Sequence, residues 1–136
     1  MSNDLVTPEN VTRELLASIY DAAFMEISWD SDGDLKVKDN ISCFVLISER
    51  KDYIQLLSIF GFEPRTSMGQ RLACVNDINL EYIMVTAYAG GNDTFQFKHH
   101  IFLDGGITRK NLVMATKRFL SIPISAIQEH GIDLVQ

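Results

Sequence analysis

The stretch YIMVTAYAGGNDTFQFKHHIFLDGGIT, residues 82–108, decides the architecture. Two apolar-rich segments, 82–89 and 94–103, flank Gly90-Gly91-Asn92-Asp93, residue types that accept the left-handed backbone of a tight hairpin. The second segment alternates. Phe95, Phe97, His99, Ile101 and Leu103 fall on one face, and Thr94, Gln96, Lys98, His100 and Phe102 on the other. Asp104-Gly105-Gly106-Ile107-Thr108 then turns the chain into a helix capped by Thr108, with Leu112, Ala115 and Phe119 along its stripe. Pro123 breaks helical hydrogen bonding, which predicts an interruption near Ser121-Ile122 and a short second helix ending at Gly131.

Upstream of this stretch, Met68, Leu72, Val75, Ile78 and Tyr82 recur at helical spacing. Asn76 and Asn79 share a face of that helix, and their amides are expected to tie it to a neighbouring strand or to its own end. Residues 41–48 and 53–60 read as strands joined by the charged turn Glu49-Arg50-Lys51-Asp52. Phe24 to Trp29 and Leu35 to Val37 flank the turn Asp30-Ser31-Asp32-Gly33. Thr7-Pro8-Glu9 is expected to open the first helix, with Val11, Leu15, Leu16, Ile19, Tyr20 and Ala23 on its stripe. The order is a helix, three or four strands, a helix, two strands and a helix. It predicts one α+β domain over residues 1–136, with its core in 8–131 and an antiparallel sheet of hairpins.

Composition narrows the classes. An apolar fraction of 46% with 22% charged residues suits a soluble globule. The net charge of −6 is uneven: residues 1–34 carry eight acids and one base, and the remainder is close to balanced. Such a balance opposes nucleic-acid binding, which rests on clustered Lys and Arg. No apolar run approaches the roughly 20 residues that span a bilayer, and the first residues lack a secretory pattern, so a cytoplasmic location is expected. Cys43 and Cys74, both among apolar neighbours, read as reduced, buried thiols.

No motif signals catalysis or a cofactor. A nucleophile elbow and a Walker loop are both missing. Asp30-Ser31-Asp32-Gly33-Asp34 lacks the Gly and Glu positions of a calcium loop and reads as an acidic turn. His99 and His100 point to opposite faces of a strand, and His130 ends a separate helix, so no shared metal is expected.

With its elements in place, the chain resembles the YbjN-like family of bacterial proteins. The resemblance runs over about residues 8–131. It is carried by Leu72, by Val75-Asn76-Asp77-Ile78-Asn79 with Tyr82, and by Gly105-Gly106-Ile107-Thr108 leading to Asn111-Leu112 and Phe119. Trp29 with Asp32-Gly33-Asp34-Leu35 is a looser match. The resemblance implies a fold like that of type III secretion chaperones, a homodimer, and a regulatory or chaperone-like role without catalytic residues.

One feature bears on function directly. Phe44, Leu46, Leu57, Ile59, Tyr82, Met84, Tyr88 and Phe102 lie out of phase with the core-facing set, so both sheet faces are apolar. Either the chain's own helices cover both faces, or a second copy or a protein client covers one. Phe44, Leu46, Tyr82, Met84, Tyr88 and Phe102 are the candidate partner-binding residues of a non-enzymatic, chaperone-like or regulatory interaction domain. The alternative is a small-ligand sensor with a pocket lined by Tyr82, Phe97 and His99.

Overall fold

The computed structural model describes residues 5–136. In chain order its elements are β1 (Leu5–Val6), α1 (Arg13–Ala22), β2 (Glu26–Trp29), β3 (Leu35–Asp39), β4 (Ile41–Ile47), β5 (Tyr53–Gly61), α2 (Met68–Glu81), β6 (Thr86–Ala89), β7 (Thr94–Phe102), β8 (Ile107–Thr108), α3 (Arg109–Leu120) and α4 (Ile122–His130). Six strands form one antiparallel sheet in the order β2-β3-β4-β5-β7-β6. The crossover through α2 sets β6 outside β7, so the longest strands, β5 and β7, pair in the interior. A two-stranded ribbon, β1 with β8, lies apart from the sheet. The α+β class and the meander of hairpins are as the sequence indicates. The ribbon is an addition that two-residue strands give no pattern to reveal.

The helices pack on a single face of the sheet. Leu35 and Val37, Cys43 and Val45, Ile54 and Leu56, Ala87, and Phe95, Phe97 and Ile101 point to that face and are buried. The same core takes Leu16, Ile19 and Tyr20 of α1, Cys74, Val75 and Ile78 of α2, Leu112 and Phe119 of α3, and Ala126 and Ile127 of α4. Aromatic packing is dense at one end. Phe62 stacks on Phe95 at 4.5 Å, and Phe95 on Phe97 at 4.8 Å. The buried Tyr20 hydroxyl meets Thr116 Oγ1 at 2.8 Å, tying α1 to α3, and burial raises its pKa.

Several details differ from the sequence reading. The first helix starts at Arg13, capped by Thr12, whose hydroxyl accepts from the Leu15 amide. Thr7 does not cap it. Instead Thr7 and Asn10 bond each other's amides through their side chains, which closes a separate turn before the helix. The strand placed at Phe24 begins at Glu26, because Phe24 takes φ 65 and ends α1 in a left-handed turn.

The third difference is at α2. The expected stripe put Met68 and Leu72 in the core, yet both are exposed, and Arg71 is buried in their place. The Arg71 guanidinium stands 5.0 Å over the Phe62 ring and donates to Thr66, to the Glu63 carbonyl and to Asp93. A buried arginine satisfied on all sides is invisible to a periodicity that counts apolar residues. Ser67 and Gln70 close a capping box at the start of this helix. As expected, Thr108 caps α3 through the Asn111 amide, and Pro123 sits in the first turn of a new helix, α4.

Gly131 ends α4 against Cys74 of α2. A Cβ there would come within 2.9 Å of Cys74 Sγ. Both cysteines are free and buried, and burial pushes the Cys43 thiol up to about 12.

Candidate functional site

The sheet face opposite the helices is left open. Register fixes which side chains share it. Phe44 stands across from Leu57, Leu57 from Lys98, and Lys98 from Thr86; Lys36 stands across from Phe44 on the other side. Leu46, Gln55 and His100 form a second row, and Tyr53 with Phe102 a third. In a sheet, residues directly opposed across strands point the same way. The middle of the face is therefore apolar, with basic side chains on both flanks.

None of the chain's helices covers these residues. Phe44, Leu46, Tyr53 and Leu57 are half-buried, Ile59 is 46% exposed and Phe102 is 62% exposed. Tyr53 and Phe102 touch at 5.5 Å, and the Tyr53 ring meets His100 edge-on at 5.2 Å. The Lys36 ammonium rides 5.3 Å over Phe44, and the Lys98 ammonium 4.4 Å over Tyr88. The Tyr88 hydroxyl donates to Gln96.

Of the six candidate residues, the structure brings Phe44, Leu46, Tyr88 and Phe102 onto this face. Tyr82 and Met84 lie elsewhere, and their grouping by strand alternation is corrected. The helix α2 runs to Glu81, Tyr82 is its C-cap, and β6 begins only at Thr86. Both side chains pack against the core instead. Sequence reasoning left Tyr53, Lys36 and Lys38 out of the set. The alternation of β3 and β5 carries all three.

Of the three residues named for a sensor pocket, Phe97 is fully buried, between Phe60, edge-on at 5.8 Å, and Phe95. His99 stacks on Phe119 at 6.5 Å, and burial holds its pKa below the ordinary imidazole value, with His100 adding to the shift. Tyr82 sits beside Glu81 and Glu129.

The two sheet edges are also unlike. At β6, the Asn79 side chain accepts from the Ala87 amide at 2.8 Å and donates to its carbonyl at 3.0 Å. The side-chain amide thus stands in for a seventh strand, the tie to a neighbouring strand expected of this residue. The β2 edge carries no such cover among the described residues.

Among the described residues, two clusters bring possible ligand atoms within 4.8 Å of one another. In the first, Asp30 Oδ1 accepts the amides of Asp32 and Asp34, and Arg13 pairs with Asp34 at 3.3 Å, as an acidic turn requires. The second corrects the isolation assigned to His130. Its Nε2 lies 3.0 Å from Glu81 and 3.4 Å from Glu129. The adjacent Glu81 carboxylate raises the Glu129 pKa, through a side-chain hydrogen bond and like charge. These contacts join α4 to the end of α2. Among the described residues no helix is long and apolar enough to cross a membrane.

An α+β domain of this topology, helices on one face and an open sheet on the other, is the type III secretion chaperone-like class. The chain belongs to the YbjN family, described as "Putative bacterial sensory transduction regulator", whose model matches residues 12–129. It is similar to the crystal structure of YbjN from E. coli, with 12% identity, a TM-score of 0.76, and 93% of this chain and 96% of that one covered. It also resembles the Yersinia pestis type III secretion chaperone SycH, solved with a fragment of YscM2, at 10% identity and TM-score 0.55 over 85% and 97% of the two chains. The chaperone–effector complex of HopA1 and SchA matches at 11% identity and TM-score 0.57, over 87% and 91%. At such identities the likeness is one of fold. No curated protein matches the sequence.

Proposed function

We propose that this domain is a non-enzymatic, chaperone-like or regulatory module of the cytoplasm that binds a protein partner on its open sheet face. The observation that carries this reading is the uncovered patch holding Phe44, Leu46, Tyr88 and Phe102, an apolar surface of the kind that marks interaction sites. The fold's likeness to chaperones solved with protein partners supports it. Partner segments bury their apolar side chains on this face and displace its water. The domain acts as a homodimer. Met68 and Leu72, exposed one turn apart on α2, offer a second apolar patch for that contact, away from the sheet face.

Affinity capture with wild-type protein and with the Tyr88→Asp and Phe102→Asp variants tests the reading. A protein retained by the wild type should bind the variants more weakly by about 2 kcal/mol or more, as interface anchors do. Circular dichroism should show both variants folded. Equal binding by folded variants overturns the reading, and so do variants that unfold, because they would place the two rings in a core. Sedimentation tests the dimer. A species near twice 15.4 kDa at micromolar concentration supports it, and the monomer mass throughout opposes it.

A further inference from the structure

We infer that the occupant of the open face is a single amphipathic helix of a partner protein, laid along the strands, with carboxylates on both flanks of its apolar stripe. This rests on the protein-interaction reading above and adds the partner's shape and charge.

Width comes first. Lys36 on β3 and Lys98 on β7 end the row that holds Phe44 and Leu57. Three strand spacings of about 4.8 Å set these two lysines about 14 Å apart. An α-helix with its side chains is about 10–12 Å across. One helix fits between the lysines, and two do not. A lone extended strand would occupy about a third of that width and leave the aromatic rings wet.

Length agrees. The strip runs along β5 from Tyr53 to Ile59, seven residues or about 20 Å between the first and the last. A helix of about 14 residues matches it.

Charge decides the flanks. The strand residues facing this side carry Lys36, Lys38 and Lys98 against one carboxylate, Glu26, which stands across from Lys38. This is a basic face on a chain whose net charge is −6. Among the described residues, neither Lys36 nor Lys98 has a carboxylate within ion-pair distance; each leans on an aromatic ring of the face itself. A helix with Glu or Asp beside its apolar stripe supplies the missing partners on both sides. A single-stranded nucleic acid fits less well. The net negative charge of the chain opposes phosphates.

Two synthetic 18-residue helical peptides test the inference. Both carry the same leucine stripe, flanked by Glu in one and by Lys in the other. Fluorescence anisotropy with the full-length chain should show the Glu peptide binding about tenfold or more tightly than the Lys peptide at about 50 mM salt, as two or three new ion pairs allow. The preference should shrink several-fold at about 0.5 M salt. It should be lost or reversed in the Lys36→Glu, Lys98→Glu double variant, whose fold is checked by circular dichroism. Equal binding of both peptides, abolished by Phe44→Asp, overturns the acidic-helix inference and leaves the protein-interaction reading standing. No binding of either peptide at tens of micromolar overturns both. Tighter binding of a 15-residue oligothymidylate than of the Glu peptide overturns the inference in favour of nucleic acid. Self-association abolished by the double lysine variant overturns it in favour of a second copy.

Discussion

Strand β5 sets Ile54, Leu56 and Ser58 on one face of the sheet and Tyr53, Gln55, Leu57 and Ile59 on the other. The first set is buried beneath helices. The second is half-buried or exposed, although three of its four members are apolar or aromatic. What separates the faces is the supply of helix. Six strands at about 4.8 Å make a sheet roughly 25–30 Å wide, and helices about 10 Å across fill such a face when three lie side by side. Helices α1, α2, α3 and α4 all contribute buried residues to one core, so none is left for the other face. Apolar composition shows that a face wants cover; it does not show who provides it.

The largest test of this asymmetry pairs two substitutions on adjacent strands. Phe97→Ala, on the covered face, removes a fully buried ring in contact with Phe60 and Phe95 and should lower stability by about 3–5 kcal/mol. Leu57→Ala, across from Lys98 on the open face, should lower it by less than about 1.5 kcal/mol, because only part of its side chain leaves water on folding. Urea unfolding measures both. Losses of equal size would mean that the open face is covered in solution at the concentrations used.

The edges repeat the contrast at smaller scale. Asn79→Ala removes two hydrogen bonds to Ala87 and should cost about 1–2 kcal/mol. Hydrogen exchange should show the Ala87 amide opening with it, while amides between β4 and β5 stay protected. An unchanged Ala87 amide would show that α2 seals this edge by packing alone.

Much of the fold was legible because its signals are local. Thr108 as a cap, Pro123 as a break and the alternation of Phe95 to Leu103 each depend on residues a few positions apart. The misread parts depend on partners far along the chain. Arg71 is buried because Phe62 and Asp93 come to it, and His130 meets Glu81 only when α4 docks on α2. The first half of the strand assigned to 82–89 failed for a related reason. The apolar residues Tyr82 and Met84 serve a helix end and a turn that pack on the core, and hydrophobicity alone does not distinguish that from a strand. Four of the six candidate surface residues survive in one patch because they sit inside strands whose alternation is unbroken.

A pH test probes the covered face. His99 stacks on Phe119, and its pKa is held below the ordinary value, chiefly by burial and then by His100. In the unfolded chain the imidazole takes up its proton near pH 6.5; in the folded protein it does so only at lower pH. Below pH 6.5 the unfolded state therefore binds more protons, and stability falls as the pH drops through that window. The midpoint temperature should be slightly lower at about pH 5.5 than at about pH 7.5, a small change because the ring is half-exposed and water screens it. His99→Gln should flatten the difference. His100 faces the open side, and His100→Gln should change the slope less.

The smallest expected effect is the most informative. Phe102 is 62% exposed and touches only Tyr53 among the rings of the face. Replacing it with Asp removes little buried area and sets the new carboxylate in water, so no desolvation penalty arises. The Tyr53 ring loses a neighbour, worth under about 1 kcal/mol. The net change in folding stability should stay within about 1 kcal/mol. A partner seated on this face would meet a buried, unpaired carboxylate at the same position and lose affinity many-fold. Thermal unfolding of the isolated variant, run beside the binding measurement, separates the two quantities. A midpoint shifted down by many degrees in the free protein would mean that Phe102 is already covered, and the open face would then be an interior surface of the unliganded molecule.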